Sequence, residues 1–544
     1  MFFFLVANRG AYKGFFTDDD FDHLANAREA EISYYGKVLL KPSLSGEETF
    51  RPVGHFFFYA MVRLFGVRFS PYITGIHVLH LLNVLLIWML ARALGASPWG
   101  ACAAALLFAF HAAAYEVYWQ PMYIFDLLCG TFVMASLLAY VRGRLILSLV
   151  MFWLALKAKE VAILLPVVLA AYEWWLGERR WKRLIPFFAI SAILGVQALA
   201  MNTHRDNNYT LRFTLSAIWQ CARFYAGQLV LAAEPYGFAG FAILALFLIP
   251  NRKVRFGIFT FVAFLSLMLV LPGRLFGAYL YVPLIGLALA LSAVARPVWL
   301  ALFFAVWIPW NYSQLRVYRK AELAAADERR AWYQPIANFA STHPEVDTFV
   351  YDGAPESLNP WGVNGALRDA RPNLPTRVFA ADAPDLKNGL AEPHLAVLVW
   401  DQQFRRVHVL PRAADVPYIR LSLIPPLWQL GEGWIGTDPS FRWIGPHATA
   451  RLLRPAAAKV FEIVVYVPPV YIERLHQGRL DVSLDHQLIG SGVLDKAEPT
   501  TFRFDVPPGK EGPVEVEFTV TPGLKDPNGS AIVYGAPVAA FGFR

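Results

Sequence analysis

PWGACAAALLFAFHAAAYEVYWQPMYIFDLLCGTFVMASLLAYVRGR, residues 98–144, decides the class of this chain. Crossing a bilayer takes about 20 mostly apolar residues, fewer if the ends are wet. The stretches 98–115 and 122–141 each meet that demand. A short turn carrying Glu116 and Trp119 joins them, and Arg142 and Arg144 close the second. Two apolar helices with a polar turn at one end and arginines at the other read as a membrane hairpin whose basic end stays in the cytoplasm.

Working outward, further candidate spans lie at 71–94, 145–157, 160–177, 184–201, 238–250, 254–272, 275–294 and 297–312. The opening MFFFLVA reads as the end of one more span, from a start site placed too far downstream or a half-inserted first helix. About ten to eleven crossings result. With the N-terminus inside, the clusters Arg142/Arg144, Arg179/Arg180/Lys182/Arg183 and Arg252/Lys253/Arg255, together with Arg296, all fall on the cytoplasmic side. Segments 8–70, 116–121, 202–237 and 313–544 then lie outside. Lys157 and Lys159 break the pattern, falling at an outer membrane edge.

Composition agrees. Only 17% of the 544 residues are charged and 56% are hydrophobic, against about 25% charged in soluble domains. The formal charge of +8 is distributed as loop clusters, not as a nucleic-acid stripe, so no nucleic-acid partner is expected. None of the three cysteines, Cys102, Cys129 and Cys221, lies in the exported tail, so no disulfide framework is implied. That tail begins with an Ala/Glu/Arg-rich helix at 314–341. DTFVYDG and HLAVLVWDQ, with a helix near 361–370 between them, then read as a small α/β unit. From 430 the strand patterns ATARLL, KVFEIVVYV, RLDVSLDHQLIGSGVL, TTFRFDV, VEVEFTV and AIVYGA read as a β-sandwich. Three regions are therefore predicted: a membrane bundle over 1–312, an α/β region over 313–429 and a sandwich over 430–544.

The polar groups that could carry chemistry gather at one membrane face. TDDDFDH places Asp18, Asp19, Asp20, Asp22 and His23 in the first outer loop, where carboxylates serve as a general base, as metal ligands or as a helix N-cap. Arg51 and Pro52 follow, then an aromatic run suited to the interface. His111 ends one span, Glu116 occupies the outer turn and Asp126 starts the next span. Ionisable groups at membrane depth are costly and mark sites or pair internally. Trp119 and its tyrosine neighbours read as an aromatic belt. Lys157, Lys159 and Glu160 fall together at the outer surface, either as snorkelling lysines or as a cationic pair for a phosphate. Arg274 is a second candidate phosphate ligand, beside Tyr279 and Tyr281.

In this order, the acidic pair, TFRPVGHFFFYAMVRLFG, GIHVLHLLNVLL, HAAAYEVYWQPMYIFDLL, KAKEVAILLP and YLYVPLIGL resemble the membrane glycosyltransferases of the GT-C fold. The resemblance is to the protein O-mannosyltransferases, including those with tetratricopeptide tails, and their bacterial homologues. The resemblance covers about residues 8–295. FRWIGPHATARLLRP and the strands after it resemble the sandwich tail of some bacterial members; no tetratricopeptide repeat is seen. The resemblance implies a hexosyltransferase of the bacterial inner membrane with its C-terminal domain periplasmic. The donor would be a sugar on a polyprenyl phosphate and the acceptor a protein, glycolipid or polysaccharide hydroxyl. Asp19 or Asp20 matches the catalytic base, with Asp19 favoured and Asp20 orienting the acceptor. A divalent cation, Mg or Mn, is the one cofactor the pair would take, since members work with and without one. Arg51, His111, Glu116, Asp126, Lys157, Lys159, Glu160, Arg274 and Tyr279 form the expected substrate-binding set. The full first span that the family would have is not matched at the N-terminus.

Other readings stay open. A GT-C-like oligosaccharide ligase or polymer-building transferase shares the fold. A transporter or flippase of lipid-linked glycans would show internal repeats and polar groups near mid-membrane, whereas here they gather at one edge. A scaffold presenting the tail is a further reading, which the acidic cluster disfavours. No P-loop or Rossmann fingerprint points to a nucleotide. The tail itself reads equally as a carbohydrate- or acceptor-binding sandwich and as a packing domain.

Overall fold

The computed structural model describes residues 2–42, 51–202, 208–233, 235–294, 296–381, 383, 385–422, 424–436, 438, 440–526 and 532–544. Parts of the expected outer segments, 43–50, 203–207 and 234, lie outside these residues. The chain divides into two compact units, Met1–Arg330 and Ala331–Arg544.

The first unit is helical throughout, and each of the ten apolar stretches falls on helix. Among the described residues, three helices are long and apolar enough to cross a membrane: Phe69–Ala93, Pro121–Val141 and Arg252–Val270. A fourth exists if Pro98–Phe110 and Ala112–Tyr118, bent by 68°, count as one. The ten or eleven expected crossings are thus not all continuous helices. Leu145–Ala158 has 14 residues and stops where Lys159 turns extended, with φ −161°. The stretch 238–250 is divided among short pieces Tyr236–Phe241, Ala242–Ala245 and Leu246–Leu248. Pro283 separates Gly277–Leu280 from Leu284–Ser292. MFFFLVA forms the short helix Phe2–Ala7.

Pro121–Val141 is the innermost of the long helices, 78% buried against 44% for Phe69–Ala93, which is why it can carry the acidic residue Asp126. Without a hydrophobic driving force in lipid, helices associate through small residues that let backbones touch. Gly257 and Gly286 do this: a Cβ on Gly286 would lie 2.3 Å from the Phe261 nitrogen, and one on Gly257 2.5 Å from that of Ala290. Ile146, Leu248 and Val306 point outward, fully compatible with a lipid solvent.

A continuous helix runs through the expected boundary at 312/313. Pro297–Thr342 is one helix of 46 residues, because the Ala/Glu/Arg-rich stretch after Tyr312 is made of strong helix formers that propagate the preceding turn. The division falls instead at 330/331.

In the second unit, strands Arg377–Ala380, Thr348–Asp352 and Leu395–Asp401 pair in parallel in that order, and Arg406–Pro411 adds an antiparallel edge. Helix Pro360–Ala370, capped by Asn359, is the one expected near 361–370. Two further sheets form the sandwich. One is ordered Gln487–Leu494, Gly478–Leu484, Gly512–Thr521, His447–Arg454; the other runs Pro499–Asp505, Val460–Tyr466, Pro537–Phe543, Arg442–Ile444, Trp434–Ile435. The α/β sheet and the sandwich are not separate bodies: Val350, Val397 and Val399 share one buried cluster with Phe461, Val516 and Phe541.

Candidate active site

The acidic turn opens helix Asp18–Glu29, and its carboxylates have different tasks. Asp20 Oδ2 accepts hydrogen bonds from the Thr17 N–H (2.8 Å) and hydroxyl (2.9 Å). Asp20 therefore closes the first turn in capping-box fashion. Its side chain is wholly buried, and burial pushes its carboxyl up to about 7 against the pull of Thr17 and Arg329. Asp22 accepts from Asn26 at 2.8 Å. Asp19, one residue before the cap, is half-buried. Burial raises its carboxyl too, while Arg274 and Arg51 partly offset the shift. No hydrogen bond joins the Asp19 carboxylate to another described residue.

Two cations, Arg274 and Arg51, act on it, and Lys159 joins them through Asp126; Arg51 and Lys159 are already matched. Arg51 precedes helix Pro52–Phe65, and its Nε and Nη2 each donate to one oxygen of Glu160 at 2.8 Å. This bidentate fork fixes the guanidinium geometrically as well as electrostatically. Its carbon lies 5.6 Å above the Phe125 ring. Phe125 reaches that place only because position 54 is glycine: a Cβ there would be 2.2 Å from the ring. Lys159 Nζ lies 2.6 Å from both oxygens of Asp126 and 4.3 Å from the centre of the Tyr279 ring. Both partners are almost fully buried, the condition under which losing either one leaves an uncompensated charge.

Arg274 is the exception. It faces the rings of Tyr209 (4.5 Å) and Phe276 (4.8 Å), and its Nε donates to the Tyr279 hydroxyl at 3.4 Å. Among the described residues no carboxylate lies within ion-pair distance of it. Glu116 stands close by, within electrostatic reach of Asp126 and Glu322, with its Oε2 buried and without a hydrogen-bond partner. The fold thus assembles Asp19, Arg51, Asp126, Lys159, Glu160, Arg274 and Tyr279 into one charged cluster with Glu116 at its edge.

Two expected members lie elsewhere. Lys157 and Lys159 have separate partners. The extended backbone at Lys159 separates them, and Lys157 Nζ donates to the Lys41 carbonyl at 2.7 Å beneath the Trp153 ring. His111 Nδ1 accepts from the Ala113 N–H at 3.3 Å. Its ring faces Trp307 and lines an apolar cavity of about 630 Å3 with Leu229 and Trp310; no contact ties it to the charged cluster. As for a metal, no group of three potential ligands exists among the described residues, and Asp20 Oδ2 is committed to Thr17.

The residues that hold the acidic turn escaped the sequence reading. Glu322 accepts from Gln120 (2.7 Å) and Arg329 (2.5 Å), and Arg329 in turn acts on Asp20. Arg330 donates to the carbonyls of Lys13 and Gly14, and Arg319 to those of Ala7 and the Asn8 side chain. Trp119, expected as interfacial belt, is buried and donates to Asn8 Oδ1 at 2.9 Å. His23 and His55, with ring centres 4.9 Å apart, fill the space beside Phe125.

No protein-family model matches the chain, and no curated protein matches its sequence. Two solved structures are similar. The crystal structure of ArnT from Cupriavidus metallidurans bound to undecaprenyl phosphate has 14% identity and a TM-score of 0.47, covering 75% of this chain and 96% of that one. The same protein in the apo state has 11% identity and a TM-score of 0.47, covering 76% and 97%.

Proposed function

We propose that this protein is a glycosyltransferase that moves a sugar from a polyprenyl-phosphate donor to an acceptor hydroxyl at the non-cytoplasmic face of a bacterial inner membrane. The observation that carries the reading is that, among the described residues, a carboxylate accepting no hydrogen bond, Asp19, stands within electrostatic reach of an arginine that no carboxylate ion-pairs, Arg274. Asp19 takes the proton of the acceptor hydroxyl as its oxygen attacks the anomeric carbon. The bond from that carbon to the phosphate oxygen breaks, and the electron pair leaves with the polyprenyl phosphate. Arg274 meets the developing charge, in a partly dry site where a fixed cation is worth more than in water. Arg51 and Lys159, held by Glu160 and Asp126, add positive edges without needing to move. Asp20 acts through Thr17 as a positioning residue for Asp19.

A membrane-anchored donor requires a site at the bilayer surface, and the arrangement of loop charges supports that placement. The test is donor turnover by purified protein in lipid. Release of polyprenyl phosphate should depend on an acceptor extract and should fall about 10²–10³-fold in Arg274→Ala, the cost of removing one charge-stabilising group. Unchanged turnover in that variant, or none in the wild type with a panel of polyprenyl-phosphate hexoses, contradicts the assignment.

A further inference from the structure

The C-terminal unit carries a cleft of its own, about 530 Å3 in volume, within the range of about 300–1,000 Å3 usual for small-molecule sites. Helix Leu386–Ala391 forms one wall, and the turn Leu427–Gln429 with strands His447–Arg454 and Gly512–Thr521 forms the others. The segment after the turn lies flat on the neighbouring strand. Gly433 has φ +79°, and a Cβ on it would sit 2.0 Å from the His447 carbonyl. Trp434 is locked in that floor: its indole donates to the Thr449 carbonyl at 2.7 Å and its ring stacks on Phe541.

Trp428 differs. It lines the cleft, yet its indole N–H is buried with no acceptor among the described residues, although buried tryptophans normally find one. Around it the cleft is amphipathic. Leu386, Leu390 and Val514 supply apolar surface, and Lys387, Glu432, Arg451 and Glu515 supply polar groups. Those charges balance, two cations against two carboxylates. Lys387 is paired with Glu432, and Arg451 with Asp415 outside the lining. Such a surface offers a net charge to no ion. It offers donors and acceptors beside an aromatic and aliphatic patch, the complement of a molecule with many neutral hydroxyls and an apolar ring face.

We infer that this cleft binds a neutral oligosaccharide, with a sugar ring against Trp428 and Leu390 and its hydroxyls on the Lys387–Glu432 pair and Arg451. The inference is independent of the transferase assignment, because none of these residues belongs to the Asp19 cluster.

The test uses the full-length protein in detergent, carrying Asp19→Asn to silence transfer. Neutral tri- to pentasaccharides of glucose, mannose, galactose and N-acetylglucosamine are titrated by calorimetry and followed by tryptophan fluorescence. At least one should bind in the micromolar to millimolar range and perturb the emission. Affinity should fall at least about tenfold in Trp428→Ala, the loss expected on removing an aromatic anchor. It should fall equally in Leu390→Trp, which fills the cleft and guards against misfolding of the first variant. A sulfated counterpart should bind no more tightly than the neutral sugar. Absence of binding by the whole panel at millimolar concentration overturns the inference. So does binding that survives both variants, or a marked preference for the sulfated sugar.

Discussion

Asp19 and Asp20 are adjacent in sequence and opposite in role, and the difference is one of hydrogen bonding. Asp20 spends its Oδ2 on Thr17; the Asp19 carboxylate accepts no hydrogen bond from another described residue, as the proposed base requires. Burial raises the Asp19 carboxyl and the nearby arginines lower it, so the proposed base would ionise only above a pKa lifted from the ordinary carboxylate range. Activity should accordingly rise with pH through that value. In Arg274→Ala, whatever activity remains should show its acid limb displaced to higher pH, because a cation that favours the ionised form is gone. The pH profile of kcat/KM checks this; an unmoved limb would mean that Asp19 does not titrate in it. Asp20 titrates in the opposite sense to a salt-bridged acid. Its folded value of about 7 lies above the ordinary 3.8, so the folded protein holds a proton that the unfolded chain releases. The stability from that proton is complete below 3.8 and lost as pH rises through about 7. Melting curves of the wild type against Asp20→Asn should therefore diverge between about pH 4 and pH 7, with the wild type losing ground as pH rises, and run parallel above neutrality.

At the scale of elements, the site depends on where helices start and how closely they approach. Helix Pro52–Phe65 carries Arg51 at its N-terminal boundary, and Gly54 admits Phe125 beneath the guanidinium. Gly54→Ala should force these apart, costing about 1–3 kcal/mol by overpacking and lowering transfer without touching a charged group. Thermal unfolding and donor turnover, measured together, check this. Helix Pro297–Thr342 straps the acidic loop through Arg319, Arg329 and Arg330. The Arg329–Glu322 pair is almost fully buried, so Arg329→Ala should destabilise the protein by about 3–5 kcal/mol, well beyond the about 1 kcal/mol of a lost surface pair. Equal melting of variant and wild type would refute that role.

At the scale of the whole molecule, what could be read from sequence was whatever depends on local composition. Apolar length placed helix on every predicted span. Alternation placed Thr348–Asp352, Leu395–Asp401 and the strands from His447 to Thr521, as in GPVEVEFTVT, whose burial alternates along its length, but not Arg377–Ala380 or Arg406–Pro411. The acidic turn, Lys159, Glu160 and Arg274 stood out because charge is expensive near lipid. What remained hidden depends on partners distant in the chain. Arg51 and Glu160 are 109 residues apart, and neither names the other. The strapping arginines sit in a stretch that reads as an ordinary surface helix. Lys157 and His111 carry the same signal as Lys159 and Asp126, and only tertiary packing separates them. The shared core of the α/β sheet and sandwich was hidden for the same reason, since both halves show complete local patterns. Phe541→Ala should cost about 3–5 kcal/mol, and hydrogen exchange should accelerate in Leu395–Asp401 as well as in Val460–Tyr466. Protection lost from the sandwich alone would show two independent bodies.

The central claim, a base at Asp19, is tested most directly by transfer of radiolabelled sugar from polyprenyl-phosphate hexoses to a membrane extract. Wild type, Asp19→Asn and Asp20→Asn are compared after equal folding has been verified. Asp19→Asn should lose about 10²–10⁴-fold of the transfer, the contribution of a general base, while Asp20→Asn, which still offers Thr17 an acceptor, should stay within about tenfold of wild type. Wild-type transfer that Asp19→Asn matches, or that disappears only in Asp20→Asn, would contradict the account.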